Sequence, residues 1–436
     1  MGCAGDQNGG WNERTAEYWL SDTGHDRCQG KVVWSMKKYV RLGDHTSKIG
    51  SGQTPLGGES SYAQSGVPLI RSQNVLMGSF SREGLAFISS TVDETMRASR
   101  VAVKDVLLNI TGASIGRVCV VPDEVCPANV NQHVAIIRCS DSLHPEYVAA
   151  VLASPSFQAF IWECQAGGTR QALTKQMIEN FEIPWLPINA QKDMTAKLRC
   201  QLAEVETARQ AANTQLEDVS VLPSRIINDV FNEITGESTT LDDILVDIQA
   251  GKSFQTAETL AGPDELGVLK ISAVTWTDFR PNEAKALKDV YDPAESHKVK
   301  NGDFIISRAN TKEFVGAVVL VDRDFPNRLL SDKTLRLVVD ESRVCKEFLL
   351  FALRASTARR HIEHSATGTS DSMRNISQGT ITSIPICLPE LDQQRRLAKQ
   401  LKARLKEVNE IRSATEAQLQ EIGNFPNRIL AQAFES

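Results

Sequence analysis

The chain has 436 residues, 41% of them hydrophobic and 23% charged, with a formal net charge of −6. Such a length has room for two or three domains with cores of their own, and the composition is that of an ordinary globular protein. The acidic balance excludes a simple basic nucleic-acid coat, no apolar run approaches the roughly 18 residues of a membrane span, and the nine cysteines carry no Cys-x-x-Cys spacing, which fits reduced thiols in a cytoplasm rather than a disulfide framework.

Residues 1–39 are polar, rich in glycine and without periodicity, and are expected to form an N-terminal arm, with a natural domain start near Met36. The arm has no secretory pattern, and Met1-Gly2 lacks the Ser or Thr at position 6 that myristoylation needs, since Asp6 stands there. A first domain is read over 40–190. Its short β-branched runs, Val67–Ile70, Val106–Leu108, Val118–Val121 and Val134–Ile137, are flanked by Gly, Asn and Pro and predict strands. Pro145–Leu152 predicts a helix, and Ser154-Pro155 predicts the cap and first turn of another, ending near Cys164. Strands first and helices later make the domain α+β.

Residues 191–240 read as a central spacer helix and linker. Leu198, Leu202, Val205, Ala212, Leu216 and Val219 alternate by four and three, with Arg209 at the one polar seam position, as in a coiled coil. A helix from about 191 to 221 spans roughly 45 Å at about 1.5 Å per residue, and Pro223 is expected to break it.

The plan then recurs. A second domain over 241–390 echoes the first: Leu241-Asp242-Asp243 with Leu42-Gly43-Asp44, Gly267–Ser272 with Gly66–Ser72, Asp303–Ser307 with Asp105–Asn109, and Gly316–Val319 with Gly116–Cys119. A distal spacer helix over 391–436 matches the central one at a constant offset of 203, pairing Leu401, Leu405, Val408 and Leu419 with Leu198, Leu202, Val205 and Leu216. Pro426-Asn427-Arg428-Ile429 closes it as Pro223-Ser224-Arg225-Ile226 closes the first. So long a match in register marks an internal duplication. The expected architecture is α+β, two tandem repeated domains joined and followed by two long helices that form an antiparallel coiled-coil spacer of pseudo-two-fold symmetry. The plainer arrangement has each helix packed on its own domain.

Signals for chemistry are weak. Ala250-Gly251-Lys252-Ser253 looks like the end of a phosphate-binding loop, but the upstream glycine position holds Val246. Pro263-Asp264 with Glu283-Ala284-Lys285 matches a loose nuclease pattern that the first half lacks. His361 and His364 stand three apart without a third ligand at a useful distance. His133, after Asn131 and Gln132, reads as a hydrogen-bonded structural histidine or a base contact. There is no Asn-Pro-Pro-aromatic run and no Gly-x-Gly-x-x-Gly loop. No catalytic residue, metal site or cofactor is therefore assigned to the chain.

Over about 40–436 the chain resembles the specificity subunit of type I restriction–modification enzymes. The resemblance is carried by Leu42-Gly43-Asp44 with Gly50-Ser51-Gly52-Gln53-Thr54-Pro55, by Val67–Val75, by Asp105–Asn109 with Gly116, and by Gly168-Thr169-Arg170 leading to Ile183-Pro184, Pro187 and Gln191. The second half matches more loosely, with Gly251-Lys252-Ser253-Phe254 in place of the Gly-x-Thr-Pro loop and Ser370 where Arg170 stands. The resemblance implies two target-recognition domains, 40–190 and 241–390, each reading one half of a bipartite site in double-stranded DNA. It implies helices that set the gap and dock two methyltransferase subunits, with restriction subunits as further partners. The subunit itself does no chemistry, and S-adenosylmethionine belongs to the methyltransferase partner. Half-sites one turn apart lie roughly 34–36 Å centre to centre, within reach of such helices.

Reading base edges takes Arg, Lys, Asn and Gln on loops. The first domain offers Lys48, Gln53, Arg71, Gln73, Asn74, Asn109, Thr111, Arg117, Asn131, Gln132, Arg170 and Lys175. The second offers Lys252, Gln255, Lys270, Arg308, Asn310, Lys312, Lys333 and Arg374. Foremost are Arg71, Asn74, Arg170, Lys175, Arg308 and Asn310, beside turn glycines and loop ends. The alternatives are a two-headed protein-binding scaffold, which the acidic charge favours, and a nuclease or methyltransferase in its own right.

Overall fold

The computed structural model describes residues 38–164, 172–288, 292–370 and 373–435. The expected arm up to residue 37, and Gly168-Thr169-Arg170, lie outside the described residues. The chain forms two compact units, Met1–Leu202 with Pro426–Ser436, and Ala203–Phe425.

In the first unit an antiparallel sheet runs Thr46–Ser51, Val134–Cys139, Val106–Asn109, Val118–Val120 in spatial order. Its side chains alternate between two cores, as period-two strands require. Val106, Leu108, Val118 and Ile137 face the helices Pro145–Ala153 and Pro155–Glu163 through Tyr147, Val148 and Ile161. Leu107, Cys119 and Ile136 face Ile70 and Val130 of a second sheet. Burial on both faces explains why these strands read as continuous apolar runs. That second sheet runs Ala86–Ile88, Val67–Ile70, Ala128–Val130, Arg100–Val101, with one parallel pair between Val67–Ile70 and Ala128–Val130. Ser154 stands at the expected cap, but its hydroxyl donates back to Val151 O at 2.7 Å rather than capping the helix.

The second unit repeats both sheets. Leu245–Ala250, Thr334–Val339, Phe304–Ser307 and Val318–Leu320 follow the order of the first sheet. Ala284–Leu287, Gly267–Leu269, Phe325–Leu329 and Lys298–Val299 follow the second, and one further strand, Thr256–Leu260, is added beside Ala284–Leu287. Phe304, Ile306 and Leu337 face one core, and Ile305, Ala317 and Val319 the other.

Two polar devices recur. Asp105 is fully buried, and Arg138 forks it with Nε and Nη2, both at 2.8 Å. Arg336 forks Asp303 in the same way at 2.8 and 2.7 Å. The other device is a buried glutamine in the first turns of each long helix. Gln191 Oε1 accepts from His144 N at 2.8 Å, and its Nε2 donates to Ser142 O and Leu186 O. Gln394 makes the equivalent bonds with Cys345 N, Arg343 O and Pro389 O. Each helix is thereby tied to the domain before it.

The long helices are Ile188–Glu233 and Leu391–Phe434, and neither breaks at its proline. Pro223 and Pro426 lie inside continuous helix, against the sequence expectation. An interior proline costs a helix roughly 3 kcal/mol, but here the following turn is packed. Ile429, Leu430, Ala433 and Phe434 join the core of the first domain, where Phe434 meets Tyr147 edge-on at 5.7 Å. Ile226, Ile227, Val230 and Phe231 do the same in the second unit with Phe351, Leu401 and Leu405, and Phe231 meets Phe348 at 5.3 Å. In that unit Glu233 and Ile234 share a cleft with Gln393 and Leu397, while Pro223 and Ser224 share one with Leu405 and Asn409, an antiparallel arrangement. The predicted seam is buried at Leu198, Ala212 and Val219, and at Leu401, Val408 and Ile422, while Leu202, Val205, Leu216, Leu405 and Leu419 are half-buried. Arg209 is exposed and pairs with Glu206, so it lies outside the seam.

Candidate nucleic-acid interface

Each domain builds a loop corner on a glycine that no other residue replaces. A Cβ on Gly52 would fall 1.7 Å from Val130 O, and one on Gly251 would fall 2.1 Å from Leu330 O. Only a bare backbone lies that flat against the end of a strand. In the first domain the exposed Gln53 and Thr54 are thereby set beside Asn131-Gln132-His133. Thr54 Oγ1 donates to Gln132 Oε1. Gln132 Nε2 lies 3.3 Å from His133 Nε2, and His133 Nδ1 lies 2.5 Å from Thr111 Oγ1. The main chain knits in the neighbours: Ile110 N donates to His133 O, Leu173 N to Ile110 O, and Asn131 N to Ile70 O. Thr111, the segment before Lys175, and Arg71 consequently border one corner.

The equivalent corner of the second domain is cationic. Lys252 follows Gly251 and is exposed. Arg308 N donates to Lys333 O, and Ile376 N donates to Arg308 O, each at 2.9 Å. Asn310 pairs with Arg374 in strand register, and Arg374 Nη1 donates to Gly368 O at 3.3 Å. The fold therefore gathers Lys252, Arg308, Asn310, Lys333 and Arg374, with Lys312 close by. Arg308, Lys312 and Lys333 have no ion-pair partner among the described residues. The exposed acids Glu313 and Asp332 adjoin Lys312 and Lys333 in the chain and reduce the net charge there.

Other candidates are committed to the scaffold. Asn74 is buried; its Oδ1 accepts from Arg71 N, and its Nδ2 donates to Ser81 O and Glu83 O. Asn109 is buried with Nδ2 on Ser72 O and Val75 O. Asn131 and Asn310 are nearly buried, and their side-chain oxygens accept from His133 N and Thr311 N. Arg71 Nη2 and Gln73 Nε2 both donate to Gly84 O, and the Arg71 guanidinium stands 5.5 Å from the Tyr62 ring centre. Lys48 Nζ donates to Arg100 O at 3.0 Å; burial and then Arg138 pull its ammonium below the usual lysine range, against Asp105. Lys270 pairs with Glu283 at 2.6 Å. Lys175 is exposed with Glu179 at 3.5 Å, and Arg117 and Gln255 are exposed. Arg170 lies outside the described residues.

The sequence reading passed over Arg138 and Arg336. Strand pairing explains why. Ile137 stands opposite Val106, and Leu337 stands opposite its equivalent Phe304, so Arg336 precedes the pivot residue while Arg138 follows it. The two arginines sit at different strand positions on the same face and reach equivalent aspartates. Among the described residues no group of three or more His, Cys, Asp or Glu side chains is placed to hold a metal ion, and no helix is long and apolar enough to cross a membrane.

No family model matches the chain. Curated relatives do. The chain is 21% identical to the EcoKI specificity subunit of a type I restriction enzyme from Escherichia coli, over 84% of this chain and 82% of that one. It is 20% identical to the StySPI specificity subunit from Salmonella potsdam, over 84% and 81%. Against the EcoEI specificity subunit of Escherichia coli it is 28% identical over 174 residues, which are 40% of this chain and only 29% of that subunit. Among solved structures, a chain from a study of assembly and conformational transition in the type I R-M system superposes with a TM-score of 0.67 at 17% identity, covering 91% of this chain and 97% of that one. The HsdS subunit from Thermoanaerobacter tengcongensis gives 0.58 at 17% identity, covering 92% and 96%. The chain thus has the fold of the type I specificity subunits, tandem α+β domains carried with two long packed helices, and it resembles those subunits along most of its length.

Proposed function

We propose that this chain is the DNA sequence-recognition subunit of a type I restriction–modification complex. One observation carries the reading: a single duplicated scaffold presents two unlike sets of exposed polar side chains at equivalent loop corners. A bipartite target with two different halves calls for such a design, because base edges are told apart by the side chains presented and not by the scaffold beneath. The domain over 40–190 reads one half-site and that over 241–390 the other, with the helices setting the unread gap between them. The outward faces of the helices dock two methyltransferase subunits, and restriction subunits join that assembly. Bond-making chemistry and S-adenosylmethionine belong to the methyltransferase; this chain is non-catalytic and works in the cytoplasm. Methylome sequencing of a host carrying this chain and its methyltransferase partner tests the reading. A modified two-part asymmetric motif that vanishes on deletion of the chain is the expected result. No chain-dependent motif, with the partner expressed and active, replaces this reading with a two-headed protein-binding scaffold.

A further inference from the structure

We propose that Gln132 reads an adenine in the half-site of the first domain, through a side-chain amide fixed in place before DNA arrives. The assignment rests on the recognition role proposed above. A glutamine amide has two donor hydrogens and an oxygen with two acceptor sites. Thr54 Oγ1 donates to Gln132 Oε1 and fixes the oxygen end. The nitrogen end, 3.3 Å from His133 Nε2, then donates to that ring atom. The other ring nitrogen, Nδ1, lies 2.5 Å from Thr111 Oγ1. Both ends are held, and each keeps one unused site: an acceptor on Oε1 and a donor on Nε2.

Gln132 is exposed, so its amide is open to a ligand from solvent. An acceptor beside a donor complements the N6–H donor and N7 acceptor that adenine shows in the major groove. Guanine shows two acceptors there, and neither pyrimidine offers the pair. The support is rigid. The Cβ-free Gly52 places Thr54 against the strand end, while His133 N donates to Asn131 Oδ1 at 3.1 Å and His133 O accepts from Ile110 N at 3.0 Å. The entropy of ordering a long side chain is therefore met on folding and not on binding. The equivalent positions of the second domain hold Ser253, Asp332 and Lys333, with a carboxylate where Gln132 has its amide, so this recognition belongs to one half-site only. An adenine read in the groove stays paired and stacked, and so is distinct from any base extruded for modification.

Methylome sequencing of the full complex with Gln132→Ala is the test. The expected result is that one A·T position in one half-site loses its preference by roughly 5- to 150-fold. The other half-site and the gap stay as in the wild type. Thr54→Val keeps the amide but frees its oxygen end, and should relax the same position by less. An unchanged motif in Gln132→Ala, or relaxation at a G·C position, overturns the assignment while leaving the recognition role standing. Should Gln132→Ala abolish modification altogether, Thr54→Val decides: relaxation at one A·T position supports the assignment, and any other pattern overturns it. Failure of the wild-type chain to direct any motif overturns the recognition role itself.

Discussion

The two domains share a skeleton and differ at its rim. Strand order, the aspartate–arginine fork, the buried glutamine and the aromatic contact with a helix end recur in both. The corners do not. Gln53-Thr54 and Asn131-Gln132-His133 form a neutral hydrogen-bonded patch, whereas Lys252-Ser253 and Ser331-Asp332-Lys333, with Arg308 and Arg374, form a charged one. Duplication followed by divergence at loop ends leaves the cores interchangeable and the surfaces unlike, as expected where buried positions answer to packing and loops to a ligand.

The strongest test exchanges the rims wholesale. Replacing 241–390 by the corresponding domain of another chain of this fold should replace one half of the methylated motif completely and leave the other half unaltered, read by methylome sequencing. A change in both halves would mean that the domains do not read independently.

Next come the forks, where equivalence itself is at stake. Removing one member of a buried pair strands the other, at a cost of about 3–5 kcal/mol. The two domains should differ in a predictable sense. Arg138 keeps 36% of its side chain exposed, so after Asp105→Ala its charge reaches water; Arg336 keeps only 10% and does not after Asp303→Ala. Hydrogen exchange resolved by peptide should show the greater loss of protection in the second domain. Equal losses would mean that solvent access does not set the penalty.

These forks also mark where sequence reading stops. The inner strands were legible because they are buried on both faces and their apolar runs are continuous, and the helices because their seam returns at a fixed offset. The forks were hidden because Arg138 and Arg336 occupy different strand positions, and a charged residue in a strand looks like a surface residue. The helices' passage through Pro223 and Pro426 was hidden because the stabilisation comes from cores distant in sequence, around Tyr147 and Phe348. At the corners, sequence named side chains but not their commitments. Asn74 and Asn109 look like base-readers on loops, yet both are turned inward to satisfy main-chain groups. Gln132, one of many polar candidates by sequence, is distinguished only by the partners that fix its amide.

A smaller effect separates the corners by charge. Binding that neutralises phosphates weakens with salt in proportion to the number of contacts, about 0.9 in log–log slope for each. Replacing Lys252, Lys312 and Lys333 together by Gln should lower the slope by up to about 3, measured by fluorescence anisotropy of the assembled complex on target DNA. Changing Gln53, Thr111 and His133 to Ala in the first domain should leave the slope alone and alter sequence preference instead. Equal slopes for the two triple variants would refute the contrast between a charged and a neutral corner.

The smallest expected effect lies where the domains should be indistinguishable. Thr174 and Ser377 cap the short helices Lys175–Glu179 and Gln378–Thr382, their hydroxyls accepting from Met177 N at 3.2 Å and Thr380 N at 3.0 Å. Loss of a cap costs about 1 kcal/mol, so Thr174→Ala and Ser377→Ala should reduce urea stability by similar amounts. The neighbouring residues differ in kind. Lys175 places a cation in the first turn, where the helix dipole opposes it, and the pairing of its exposed ammonium with half-buried Glu179 at 3.5 Å offsets little. Lys175→Ala should therefore leave stability unchanged or slightly raised while weakening DNA binding, the pattern of a residue kept for a ligand and not for the fold. A loss of stability with DNA binding intact would return Lys175 to the scaffold, and the rim of the first domain would then begin at Gln132.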